Sequence, residues 1–400
     1  MRWLLIALLL GSAAHAQPLQ LSDSARVALV TVFPGKALYA AFGHSALRVY
    51  DPRQGIDWLF NYGTFDFSDP WFLPRFVYGQ LDYFLSVSDY ARAVQFYRNV
   101  EGRPIVEQWL NLNAAQRDTL FAFLLWNARP ENRTYRYDFL FDNCSTRIRD
   151  VLERTLGPAL HFRHPAPQTP FRHLLDLYVA DRPLLQLGFY LTLGARVDRS
   201  PTAREVMFLP LELMQAVDQA AVRLDSGWIP LVAQTDTVFW PQGHPPIPKP
   251  VWPWPLALGW LLFAFSLLAT VQDYRGRWPY PAQLDALLFS LAGFVGLVLL
   301  LLWVATLHTV TIWNWNLLWA WPPHLWIGFR LRQQRLLTFW ERGYMLLTAV
   351  VTLLLALGWP FWPQDLHPAL LPVALLLVLR SIAHIGAPYR QSKLKKAPSF

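Results

Sequence analysis

Apolar positions in this chain fall into three kinds of pattern. Residues 4–10 are an unbroken apolar run behind Arg2, closed by small residues that end at Ala16. A charged start, a short apolar core and small residues at the −3 and −1 positions predict a secretory signal peptide over 1–16, cut before Gln17. From 17 to 230 the apolar positions come in short stretches with strand or helix periods. From 251 onward they come in runs near the ~20 residues that a helix needs to cross a bilayer.

In the middle region, His44-Ser-Ala-Leu-Arg-Val-Tyr50 alternates like a strand, Asp51-Pro-Arg-Gln-Gly55 reads as a turn, and Ile56-Asp-Trp-Leu-Phe-Asn-Tyr62 is a second strand. Together they predict a hairpin. Further strands are expected at 81–88 and 103–111. Asn113 caps a helix whose apolar positions are Leu120, Phe121, Phe123, Leu124 and Leu125. Residues 135–141 read as extended. A second helix runs from Asn143 to Leu156, with Ile148, Val151, Leu152 and Leu156 as its buried stripe and Gly157 as its stop. Strands and helices in this order predict an α+β domain over 17–230. The prolines around 231–250 predict a stiff connector to the first span.

The C-terminal runs predict five membrane helices within 251–387, at 251–271, 285–307, about 311–329, 343–360 and 368–387. The third is irregular, because Trp313-Asn-Trp-Asn-Leu-Leu-Trp-Ala-Trp-Pro-Pro-His324 brings polar groups and two prolines to membrane depth. Such breaks are tolerated where the backbone lines a cavity or packs on protein; a tilted or re-entrant segment in an aromatic belt is the alternative. With an exported N-terminal domain, loops 272–284 and 330–342 and the segment 380–400, ending in a basic tail over 388–400, are cytoplasmic. They hold all eleven Lys and Arg of the region, as the positive-inside rule requires.

Composition agrees: 54% hydrophobic and 16% charged residues are too apolar for an ordinary soluble domain. The formal charge of +8 does not mark a nucleic-acid binder. Removing the membrane region and Arg2 leaves 23 basic and 23 acidic residues in 17–250, with no net field to hold a polyanion.

Cys144 is the only cysteine, so no intramolecular disulfide forms. It is either a small buried hydrophobe or a nucleophile. Its place in the first turn of a helix favours a thiolate, because unpaired N–H groups and the helix dipole stabilise negative charge there. A nucleophile needs a base, and His44 follows Gly43, which permits close approach of another backbone. If the hairpin turns at 53–54, position 44 faces 63 and Asn61 lies two residues along the same face. Asn61 is therefore the candidate to orient His44, or else it closes the hairpin. Asn143 and Ser145 are candidates for an oxyanion site, with helix capping an equal account of Asn143. Arg147 either supports the thiolate or pairs with an acid. His161, His164 and His173 lack metal-ligand spacing and read as a solvated loop, so no metal or other cofactor is expected.

Phe42-Gly-His-Ser-Ala-Leu-Arg-Val49, Asn61-Tyr-Gly-Thr-Phe-Asp-Phe67, Pro130-Glu-Asn-Arg-Thr-Tyr-Arg-Tyr-Asp138 and Asp142-Asn-Cys-Ser-Thr-Arg-Ile-Arg-Asp150 resemble the exported domain of the Lnb-type lipoprotein N-acyltransferases. That family carries a five-helix membrane region after the domain, so the resemblance covers nearly the whole chain. The His-before-Cys order also resembles circularly permuted papain-like enzymes of the NlpC/P60 and lecithin:retinol acyltransferase kind. By resemblance, Cys144 is the nucleophile, His44 the base, a membrane phospholipid the acyl donor and a diacylglyceryl lipoprotein the acceptor.

A Glu–Lys–Cys site of nitrilase type is disfavoured, since 17–250 contains only Lys36 and Lys249. A membrane-tethered hydrolase of cell-wall peptides would use the same Cys/His pair. A non-enzymatic sensor or scaffold would require Cys144→Ser to remain functional.

Overall fold

The computed structural model describes residues 20–65, 68, 70–80, 82–277, 280–334 and 336–394, with backbone alone at 72, 73 and 387–394. The expected signal peptide and the last residues of the basic tail lie outside the described residues.

A seven-stranded antiparallel sheet organises the N-terminal domain. Its strands are β1 (Arg26–Val32), β2 (His44–Asp51), β3 (Ile56–Thr64), β4 (Asp82–Asp89), β5 (Ile105–Leu110) and β6 (Thr134–Arg136), joined by β10 below. A small second sheet holds β7 (Leu160–His161), β8 (Ala221–Leu224) and β9 (Gly227–Pro230). β10 (Val232–Phe239) returns to the main sheet beside β5, giving the order β10-β5-β1-β2-β3-β4-β6.

This moves the expected connector, because 232–239 pairs with β5 as a strand and the proline-rich stretch begins only at Pro241. The β-branched residues Val232, Thr235, Thr237 and Val238 suit a pleated edge better than a linker. The extended stretch expected over 135–141 is also shorter: after β6 the chain turns back on itself, with Asp138 bridging Asp142.

The helices of this domain are α1 (Phe72–Tyr78), α2 (Tyr90–Gln95, continuing as a π-helical turn over Phe96–Glu101), α3 (Ala114–Asn127), α4 (Cys144–Leu156), α5 (Phe171–Val179), α6 (Pro183–Thr192) and α7 (Pro210–Gln219). α3 opens on a capping box of Asn113 and Gln116. The main core packs Leu29, Leu47, Phe60 and Tyr62 of the sheet against Phe121, Ile148, Leu152 and Leu213 of α3, α4 and α7. On the other face Val30, Val32, Ala46 and Leu59 pack under Tyr90 and the segment after it. The central strands are thus buried on both sides, and α4 lies against β2 and β3.

The membrane region contains α8 (Trp254–Tyr274), α9 (Ala282–Val304), α10 (His324–Arg332), α11 (Phe339–Leu357) and α12 (Leu370–Leu394). Among the described residues, three helices, α8, α9 and α11, are long and apolar enough to span a bilayer; the apolar part of α12, Leu370–Gly386, is shorter. The expected third span is not one helix. A 3₁₀ turn over Trp315–Leu318 is separated from α10 by Pro322 and Pro323, which cannot continue a helical hydrogen-bond ladder. Its exposed backbone packs on protein rather than lipid: a Cβ on Gly296 of α9 would lie 1.9 Å from the Ala320 carbonyl, and one on Gly293 2.4 Å from the Leu325 nitrogen. Only glycine allows α9 that close an approach.

The two regions are locked together. α6 is apolar, and Leu187 and Leu191 pack into the core of the membrane bundle. Asn314 and Asn316 donate from their side chains to the carbonyls of Leu191 and Tyr190, at 2.6 and 2.8 Å. Gln364 donates to the Leu193 carbonyl at 3.1 Å. The loop after α9 binds the N-terminal domain as well, through Leu307 N–H to the Tyr78 carbonyl and Thr309 Oγ1 to Asp138 Oδ2.

Candidate active site

β2 and β3 continue past the last residues they pair with each other, still held by β1 and β4 on their outer sides. The ladder ends at Leu47 opposite Phe60, although the strands run back to His44 and on to Thr64. Position 44 therefore projects toward 63 without pairing to it, and the start of α4 occupies the opening. There Gly63, at φ +82°, faces the first residue of the helix: a Cβ on Gly63 would lie 3.4 Å from the Cβ of Cys144. Ser45 Oγ and Ser145 Oγ, both fully buried, share a hydrogen bond of 3.0 Å that pins strand to helix across 100 residues. Gly43, at φ +86°, receives the Val32 carbonyl of β1 and Pro210 instead. The close backbone approach expected at Gly43 exists, but the one that admits Cys144 is at Gly63.

His44 and Asn61 meet as the projected register requires. His44 Nε2 and Asn61 Oδ1 are 3.3 Å apart. The amide cannot be the other way round, because Asn61 Nδ2 donates to the Leu59 carbonyl and to Ser88 Oγ, both at 3.1 Å. An amide oxygen only accepts, so Nε2 carries the hydrogen and the lone pair of a neutral ring falls on Nδ1. Tyr97 covers the imidazole, with ring centroids 6.4 Å apart. Burial pushes its phenol up to about 12, so it presents a neutral wall.

Cys144 is half-buried. Burial alone would raise its pKa. The hydrogen bond and charge of His44, the Ser45 N–H and the Ser145 hydroxyl together outweigh burial and bring the thiol below its ordinary value. The N–H of Cys144, at the first helical position, has no acceptor within the helix.

The remaining sequence candidates are engaged elsewhere. Asn143 is the cap of α4: its Oδ1 accepts from the N–H groups of Ser145 and Thr146, and its Nδ2 donates to the carbonyls of Phe139 and Phe208. With both ends of the amide used, its side chain has no donor left for an oxyanion. Ser145 is the exception: its hydroxyl bonds Ser45 Oγ at 3.0 Å and also lies 3.9 Å from Cys144 Sγ. Arg147 pairs with Asp142 through Nη2 at 2.6 Å and through Nε, and lies 4.0 Å over the Tyr135 ring. It takes the acid-pairing alternative. His164 is beside Glu212, His173 beside Asp365 and the His161 ring beside Trp228, three separate settings. A cavity of about 400 Å³ lined by Trp303, Trp313, Trp315 and Trp321 lies in the broken span of the membrane region and borders neither Cys144 nor His44.

Gly63, Ser45, Ser88 and Tyr97 were not singled out by sequence. Gly63 carried a readable signal, since a glycine inside a strand pattern marks close approach. The others become visible only when β2, β3, α4 and the π-helical turn are assembled.

Residues 16–176 match the Lnb N-terminal periplasmic domain, and residues 249–392 match the Lnb transmembrane domain. No curated protein and no solved structure matches the chain. A periplasmic domain followed by a transmembrane domain makes this an inner-membrane protein with a periplasmic N-terminal region. The two matches follow the order of the two regions described above and together span most of the sequence, so the chain belongs to the Lnb-type lipoprotein N-acyltransferase family.

Proposed function

We propose that this protein transfers a fatty acyl chain from a membrane phospholipid, through a thioester on Cys144, to the N-terminal amine of a diacylglyceryl lipoprotein. The observation that carries this reading is the thiol at the start of α4, lowered in pKa and held beside a His44 whose far nitrogen is fixed by Asn61. The Cys–His–Asn set is that of papain-like thiol enzymes, here with the histidine strand ahead of the cysteine helix. A permuted papain-like fold is part of the proposal. So are five crossings, the third of them broken, and a cytoplasmic C-terminus.

In the first half-reaction His44 Nδ1 takes the thiol proton and the sulfur attacks the ester carbonyl. The Cys144 N–H stabilises the oxyanion. The ester C–O bond breaks, His44 returns the proton to the glycerol oxygen, and a lysophospholipid leaves. In the second, the acceptor amine attacks the thioester while His44 removes its proton. The amide forms, the C–S bond breaks and the thiol is regenerated. No cofactor enters either step.

The test incubates purified full-length protein with labelled phospholipid and a diacylated lipopeptide. Mass spectrometry should find an acyl adduct on Cys144 and a triacylated product, and neither with Cys144→Ser. A folded wild-type protein that forms no adduct refutes the proposal; released peptidoglycan fragments in place of acyl products would assign the same residues to a cell-wall hydrolase.

A further inference from the structure

Two buried serines sit where the periodicity of their elements calls for apolar side chains. On β2, Leu47 and Val49 pack with α4 in the main core, and Ser45 is the next residue of that row. On α4, Ser145 continues the stripe of Ile148 and Leu152. Both serines are 0% exposed, so each hydroxyl has only the protein to bond. A hydroxyl has one hydrogen to give, and leaving it unpaired in a core is unfavourable.

Following the hydrogens gives the pair a direction. Among the described residues Ser45 Oγ has one partner, Ser145 Oγ at 3.0 Å. Thr31 stands opposite Ser45 on β1, but its Oγ1 has no hydrogen-bond partner and so is no acceptor for it. Ser145 Oγ has a second neighbour, Cys144 Sγ at 3.9 Å, within the reach of a bond to sulfur. If Ser145 donated to Ser45, the Ser45 hydrogen would be left without an acceptor. If Ser45 donates to Ser145, the Ser145 hydrogen is free to point at the sulfur and both are used. That satisfied arrangement needs an acceptor at Cys144, which a thiolate supplies far better than a thiol.

We infer that Ser45 and Ser145 form a directed hydroxyl chain ending on the Cys144 thiolate, with Ser145 touching the reacting sulfur and Ser45 the positioning residue that turns the Ser145 hydrogen toward it. The chain accounts for two polar groups kept in apolar rows, and it gives the thiolate a donor separate from His44. It rests on Cys144 being the nucleophile of the function proposed above, not on which acyl donor or acceptor the sulfur serves. The other ionisable groups that act on Cys144 from the elements around it are His44 of β2, Tyr97 of the π-helical turn, Tyr135 of β6 and Tyr137 just after it. Burial pushes the three phenols up, so they stay neutral while the thiol titrates. The Asp142–Arg147 pair beside the start of α4 involves neither serine.

Cys144 being the sole cysteine makes the test direct. Full-length wild type, Ser145→Ala, Ser45→Ala and the double variant are alkylated with iodoacetamide across pH, each profile is normalised to its alkaline plateau, and thermal melting is recorded alongside. Each substitution removes a single heavy atom and keeps the fold, which the melt confirms. Ser145→Ala should leave about fivefold less thiolate at neutral pH, the size of one ordinary hydrogen bond. Ser45→Ala should leave about twofold less, because a hydroxyl that accepts a hydrogen bond is the stronger donor and the 3.0 Å contact no longer holds its rotamer. Adding Ser45→Ala to Ser145→Ala should shift nothing further, since without the Ser145 hydroxyl Ser45 has no side-chain route to the sulfur. Single-variant profiles that both lie on wild type, with only melting lowered, overturn the chain and leave a packing contact. Shifts that add in the double variant overturn the order assigned to it. Alkylation needs no acyl donor, so either failure is distinct from a failure to form the acyl adduct.

Discussion

Removing the imidazole beside Cys144 separates the forces that set its ionisation. Burial, the largest influence, raises the thiol; the His44 hydrogen bond and charge come next and lower it, followed by the Ser45 N–H and the Ser145 hydroxyl. In His44→Ala the burial remains and its main opponent is gone, so the thiol should titrate above an ordinary cysteine rather than return to it. A hydrogen bond to a charged group contributes about 1.5–3 kcal/mol, which corresponds to roughly 10–100-fold less thiolate at neutral pH. Asn61→Ala keeps the ring but releases it from a 3.3 Å bond that is long for its kind, so about 1 kcal/mol and a roughly fivefold loss are expected. The assay follows iodoacetamide alkylation of Cys144 by mass from acid to alkaline pH. Each profile is normalised to its alkaline plateau, so that access to the sulfur is separated from its charge. The wild-type profile should lie below that of a free thiol, Asn61→Ala between wild type and His44→Ala, and His44→Ala above the free thiol. An unfolded variant would fall on the free-thiol curve and be recognised. Superposition of the His44→Ala and wild-type profiles would refute the assignment of His44 as the group that ionises Cys144.

Gly63→Ala forces an L-residue into φ +82°, which costs about 1–2 kcal/mol, and places a methyl against Cys144; thermal melting should fall, and acyl transfer should fall further than stability does. Asn143→Ala removes the cap of α4 and two acceptor-satisfying donors, a loss of about 2 kcal/mol, so the Ser145 and Thr146 amides should exchange hydrogen roughly 30-fold faster. Arg147→Ala breaks a pair whose side chains are about one-third exposed, and should reduce transfer less than about fivefold, a ceiling set by the ~1 kcal/mol such pairs contribute. A loss as deep as that of His44→Ala would instead put Arg147 on the thiolate. Arg172, only 1% exposed, binds Asp198 at 2.6 and 2.9 Å and the carbonyls of Leu193 and Gly194. Arg172→Ala leaves a buried carboxylate without its partner, about 3–5 kcal/mol, and the melting midpoint should recover in part when Asp198→Asn is added.

What the sequence disclosed and what it withheld divide along the range of the interaction. The β2–β3 hairpin, α3 and α4 were readable because their determinants are local: alternation about the turn at 53–54, the cap at Asn113, the cap at Asn143 and the stop at Gly157. Projecting that register past the turn was enough to put Asn61 beside His44. β1 went unread because it is buried along nearly its whole length, which erases the alternation that marks a strand with one wet face. β10 was absorbed into the connector because prolines follow it closely. Asn143 and Ser145 show a different limit. Capping and oxyanion binding call for the same residue types at the same helix end, so only the identity of the hydrogen-bond partners separates them.

The docking of the N-terminal domain on the membrane region belongs to neither class. It depends on Tyr78 meeting Leu307, Ala180 meeting Val251 and Asp138 meeting Thr309. Those contacts join residues from 71 to 229 positions apart, through loops that have no periodicity to read. Yet each polar contact falls at the end of an apolar segment, which is a physical constraint. A backbone leaving the hydrocarbon exposes N–H and C=O groups that must be satisfied at once, and here the N-terminal domain supplies several of the partners. Docking the domain and ending the spans are thereby one event. The same contacts therefore close the backbone at the ends of the spans and hold the N-terminal domain against the membrane region.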